Sequence, residues 1–76
     1  MNWFAQLCDE HGLKPATPRP AGNLEVGLFV FTATGEPRKI TKVTKFKHVV
    51  RITTGHRGQV ETFAKDSEFS LLAEAK

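Results

Sequence analysis

A thiol with an imidazole three residues on is the first arrangement here that could do chemistry: Cys8 and His11, with Asp9 and Glu10 between them. Nucleophilic catalysis needs a base within hydrogen-bond reach of the sulfur, and this spacing puts both groups on roughly one side of a helix. The surrounding pattern argues against it. Trp3, Phe4, Leu7 and Cys8 fall on one apolar stripe, where a thiol is buried and unreactive. A zinc site is no better supplied, because His11, His48 and His56 are scattered and neither a cysteine pair nor a His-x-x-x-His spacing is present. Phosphate-loop and dinucleotide fingerprints are missing; Gly55-His56-Arg57-Gly58 is too short and no helix follows it. The expectation is a non-enzymatic protein with no catalytic residue, metal or cofactor.

Charge supplies the stronger signal. Between Pro37 and Val60 stand Arg38, Lys39, Lys42, Lys45, Lys47, Arg51 and Arg57, with His48 and His56 among them and no Asp or Glu. The rest of the chain holds Lys14, Arg19, Lys65 and Lys76 against all eight acids, so the net +3 hides a strongly polar distribution. Strand alternation would put Lys39, Thr41 and Lys45 on one face of a first strand and Lys47, Arg51 and Thr53 on one face of the next. Like charges side by side repel unless something anionic neutralises them or they splay into solvent. Small β domains bind nucleic acid through such surfaces, with Lys and Arg on phosphates and aromatic rings on bases. Aromatic residues are scarce: Phe46 alone lies among the charges, and there is no Tyr. Binding should therefore be mostly electrostatic. With about five phosphates contacted on duplex DNA, log K would fall with log salt at a slope of about −4 to −5. A lysine-rich strand pair also guards a sheet edge against aggregation, and that accounts for part of the charge.

The elements that must position these residues fall into three pieces of a single 76-residue domain, near the lower size limit for a core without cross-links. Residues 1–13 read as a short helix, capped by Asn2 and ended by Gly12, with Leu13 packing back on Leu7 or Cys8. Such a helix must dock, and Trp3 and Phe4 are expected to cover an end or edge of the core. Residues 14–22, with Pro15, Pro18 and Pro20, read as a stiff strap without a regular hydrogen-bond ladder. Residues 23–76 change to period two. Leu24, Val26, Leu28 and Val30 would share one strand face, with Phe29 and Phe31 on the other, as in a central strand buried on both sides. Thr34-Gly35-Glu36-Pro37 forms a turn. The stretches 38–45 and 47–54 are two strands or one bent strand, and Ile40 and Val43 are out of register for simple alternation, so a bulge is expected between them. Gly55 to Gly58 makes a hairpin turn into a strand from Gln59 to Ala64, with Val60 or Phe63 facing in. Phe69, Leu71 and Leu72 should close the core from a terminal segment, helical or extended, that Asp66 or Ser67 begins.

Short antiparallel strands, Gly-containing turns and a short apolar ending suit a mainly β fold, a small SH3-like or Tudor-like antiparallel barrel with a short N-terminal α-helix. The landmarks Val26-Gly27, Val30, Gly35-Glu36-Pro37-Arg38, Ile40, Val49-Val50, Gly58, Glu61-Thr62-Phe63 and Leu71-Leu72 resemble the pattern of small bacterial YodC-like proteins, over Leu24 to Leu72. Val50-Arg51-Ile52-Thr53 stands where that family usually carries Cys and Trp in a strand. The resemblance implies a fold and no chemistry.

Two partner classes follow. In the first, Arg38, Lys39, Lys42, Lys45, Lys47, Arg51 and Arg57 hold nucleic acid or another polyanion. In the second, the chain is an interaction or inhibitory module for an acidic protein, with Trp3 and Phe4 or an open sheet edge as the contact. One cysteine cannot form an internal disulfide, no stretch is long and apolar enough to span a bilayer, and no charged leader precedes an apolar run. A cytoplasmic monomer or homodimer without membrane contact is expected.

Overall fold

Gly12 ends the N-terminal helix as its position requires: its φ of 71° lies in the left-handed region that a side chain disfavours. The computed structural model describes residues 3–32, 34–55 and 57–76, so the expected cap at Asn2 and the turn residue His56 lie outside the described residues. Helix α1, Trp3–Glu10, closes with His11 and Gly12 donating their N–H groups to the carbonyls of Cys8 and Asp9, at 3.0 and 3.1 Å. Leu13 then turns back into the cluster that holds Cys8 and Phe4.

Among the described residues eight strands follow, all paired antiparallel: β1 (Leu13–Pro15), β2 (Arg19–Pro20), β3 (Phe29–Phe31), β4 (Pro37–Lys45), β5 (Val49–Thr54), β6 (Gln59–Ala64), β7 (Glu68–Phe69) and β8 (Leu72–Ala75). Six form one sheet in the order β1-β8-β3-β4-β5-β6, while β2 and β7 pair separately. Strand β4 joins the two halves of the large sheet. Its start pairs with β3 from Pro37 to Lys39, and the stretch from Ile40 to Lys45 pairs with β5. Where the pairing changes hands the register slips, with Ile40 opposite Thr54 and Lys42 opposite Thr53, so Thr41 is an extra residue. This is the bulge that Ile40 and Val43 foreshadow; such a residue bends the strand and increases its twist. The Thr41 hydroxyl donates to the carbonyl of Thr53 at 3.2 Å and so ties the bulge to the neighbouring strand.

The sheet is apolar on both sides at β3. Val30 points into the main core, built on Ala21, Leu24, Leu28, Ile40, Val50, Ile52 and Leu72. Phe29 and Phe31 point the other way, into a second cluster with Phe4 and Cys8 of the helix and Ala73 of β8. Phe4 meets Phe31 edge-on, ring centres 5.2 Å apart. The helix thus covers the outer side of β1, β8 and β3, and its burial against them holds an element too short to stand alone.

The structure corrects the expectations for the first strand, the proline strap and Leu71, and decides the form of the terminal segment. The strand expected from Leu24 is confined to Phe29–Phe31, because Glu25, Val26 and Gly27 turn: Gly27 has φ 100° and the Leu28 N–H meets the Glu25 carbonyl at 3.4 Å. Leu24 and Leu28 both reach the core from the two sides of that turn, whereas Val26 is exposed. The proline strap does pair, since Pro15 and Pro20 sit at the ends of short strands where a missing N–H is tolerated. The terminal segment is extended; Leu72 and Ala73 are buried, Phe69 is partly so, and Leu71 is exposed. No closed barrel forms among the described residues, where the sheet order ends in two edges, β1 and β6.

Candidate polyanion interface

Register decides which cations share a surface. Along β5, Val50, Ile52 and Thr54 point to the core side, so Val49, Arg51 and Thr53 point outward. Pairing carries this across the sheet. Arg51 lies between Thr44 of β4 and Thr62 of β6, while Thr53 lies between Lys42 and Val60. Beyond the bulge, Lys39 shares the outer side, opposite Phe29 at the margin of the helix-covered area. The outer side of β4, β5 and β6 is therefore a bare face of threonines and valines bearing Lys39, Lys42 and Arg51. It carries no carboxylate: Glu61, the one acid in these strands, is opposite Ile52 and faces the other way.

The expected repulsion between facing cations is largely relieved. Each of Lys42 and Arg51 has a threonine directly across, and the two cations are diagonal neighbours, about 7 Å apart at the backbone. The Arg51 guanidinium carbon stands 5.2 Å from the centre of the Phe46 ring, a cation–π contact that holds the side chain over the sheet. Phe46 is thus a half-exposed surface ring rather than a core residue. It begins the β4–β5 turn, which closes as the Phe46 N–H donates to the Val49 carbonyl at 2.9 Å, and Lys47 is exposed within that turn. Arg57 is exposed in the turn at the other end of β5.

Two of the seven cations part company with the rest. Lys45 is opposite Val50 and so lies on the core side, beyond the end of the core and beside Arg19 and Glu25. Arg38 is opposite Val30 and lines an open cleft of about 360 Å³ on that same side. The cause is parity. Thr41 adds one residue, which moves Lys45 off the face that Lys39 occupies and puts Lys42 there. Among the described residues the ion pairs are Lys14 with Glu74, at 3.3 Å, and Lys76 with Asp9, so no cation of the middle strands is matched by a carboxylate.

The residues weighed for other roles are also placed. Phe4 is 7 % exposed and serves the core, so it is not a surface anchor, whereas Trp3 is 64 % exposed and touches Phe4 edge-on at 5.8 Å. Cys8 is fully buried, and that burial pushes its thiol pKa up, against the opposing pull of a backbone hydrogen bond. His11 lies against Phe31, ring centres 5.9 Å apart. Among the described residues no three His, Cys, Asp or Glu side chains gather, and no helix is long and apolar enough to cross a membrane. The sequence did not show the threonine row or, on the opposite side of the sheet, the cleft where Phe63 and Phe69 meet edge-on at 4.9 Å. Val60 and Phe63 gave the only hint, since one of them had to face out. In comparisons with known proteins, no family model, no curated protein and no solved structure matches this chain.

Proposed function

We propose that the chain is a non-enzymatic binding module whose outer β4–β5–β6 face contacts a nucleic acid through its phosphates. The observation that carries the reading is the separation of charge by face: Lys39, Lys42 and Arg51 on a bare surface without a carboxylate, Glu61 on the opposite side. Lys47 and Arg57, exposed in the turns at the two ends of β5, extend its reach. Phosphate contacts give affinity without sequence preference, and Phe46, already engaged by Arg51, offers little stacking surface for bases. The module is thus poorly selective.

An SH3-like origin for the fold fits the order β8-β3-β4-β5-β6, a meander whose last strand returns beside its first, and β1 would then be an added edge. The YodC-like resemblance, from Leu24 to Leu72, covers β3 to β6 and ends where β8 begins.

The test is a fluorescence titration of a labelled oligonucleotide at low salt. Lys42→Glu with Arg51→Glu should abolish binding, while Lys45→Glu should leave it within about twofold, because that side chain is on the other side of the sheet. Equal losses from both variants, or no binding by the unaltered protein, would end the proposal. The acidic-protein reading keeps the exposed Trp3 as its anchor; under it, Trp3→Ala would abolish partner binding and Lys42→Glu would not.

A further inference from the structure

The two edges of the large sheet are built differently. At one end, β1 has three residues and contains Lys14 and Pro15, devices that discourage another strand from adding. At the other end, β6 runs six residues in unbroken register with β5 and contains no proline, lysine or bulge. Among the described residues no strand covers its outer row of backbone groups. The cleft on the core side opens beside this edge. Val30, Ile52, Phe63 and Phe69 supply its apolar wall, and Arg38 and Glu61 its charges. Arg38 is half-buried there, and its guanidinium makes no ion pair or hydrogen bond with a described residue, Glu61 included. A guanidinium left unmatched against an apolar wall is a carboxylate receptor.

We infer that β6 and this cleft together take up an extended acidic peptide of a partner protein, which adds as a strand along β6. Alternate side chains of such a peptide point to the core side: one apolar group packs in the cleft against Phe63 and Phe69, and a carboxylate reaches Arg38. The site is on the opposite side of the sheet from the nucleic-acid face and does not depend on it.

The experiment is an NMR titration of the full chain with a short acetylated and amidated peptide alternating threonine with leucine and aspartate. Binding should shift the amides of Val60 to Phe63 and slow their hydrogen exchange. Replacing the peptide aspartate by asparagine should weaken binding by about tenfold or more, as should Arg38→Gln, while Arg38→Lys retains part of the affinity. A matching peptide whose only carboxylate is its free C-terminus distinguishes the two sources of that group. Equal affinity of the aspartate and asparagine peptides overturns the inference. So does absence of binding at millimolar peptide, or shifts confined to the outer face. Self-association of the chain through β6, seen by sedimentation and abolished by edge variants but not by the peptide, would assign the edge to a second copy and overturn it as well.

Discussion

Salt should weaken nucleic-acid binding by an amount that the face sets in advance. Each phosphate neutralised on duplex DNA contributes about −0.9 to the slope of log K against log salt. Lys39, Lys42 and Arg51 alone give a slope of about −2.7, and adding Lys47 and Arg57 takes it to about −4.5. Between about 50 mM and 200 mM salt, affinity then falls by about 40-fold to about 500-fold. Replacing Lys42 and Arg51 by alanine should flatten the slope by about 1.8. The control is Lys45→Ala with Arg19→Ala, which removes the same net charge from the other side of the sheet and should leave the slope unchanged. Fluorescence anisotropy of a labelled duplex across a salt series measures both. If the control flattens the slope as much as Lys42 and Arg51 do, net charge rather than the face governs binding, and the reasoning fails.

Three further outcomes follow from packing and titration. Phe4→Ala should cost about 3–5 kcal/mol in urea unfolding, a large share of the roughly 4–11 kcal/mol available to a chain of this length, whereas the exposed Trp3→Ala should cost less than about 1 kcal/mol. Cys8 should resist thiol reagents until the chain unfolds; because burial raises its folded pKa, the stability it contributes is present below about pH 8.5 and lost as pH rises, a loss that Cys8→Ala should remove. The hydrogen bond and charge of Lys76 hold the Asp9 carboxyl below its usual range, so this pair contributes above the unfolded carboxylate pKa and is lost as pH falls through the folded one. An NMR titration of Lys76→Ala should find the Asp9 pKa raised again.

Local signals in the sequence were legible where a single physical requirement dominates. Gly12 stops the helix because nothing else there tolerates positive φ, and Phe29-Val30-Phe31 is apolar on both faces because it lies between two clusters. The mismatch of Ile40 and Val43 located the bulge. Its consequence for the site was not legible, since a one-residue slip reverses every later side chain and the pattern did not say where the extra residue falls. Hence Lys42, not Lys45, joins Lys39; Arg38, ahead of the bulge, faces the cleft by simple alternation with Lys39. The stretch from Leu24 to Leu28 misled for a related reason: spacing that suits a strand also suits two core residues brought together across a Glu25-to-Leu28 turn. The pairing of the proline strap was hidden because its partners, β7 and β8, are about 50 to 60 residues further on and the terminal segment carries little strand pattern of its own.

Methyl resonances report which side of the sheet meets the nucleic acid, because valines mark both sides of the same strands. On titration with an unlabelled oligonucleotide, the methyl groups of Val49 and Val60, on the outer face, should shift in step with binding. Those of Val30, Val43 and Val50, which pack in the core, should stay in place. Shifts at Val30 or Val43 with Val49 and Val60 unmoved would place the nucleic acid on the wrong side of the sheet and contradict the account.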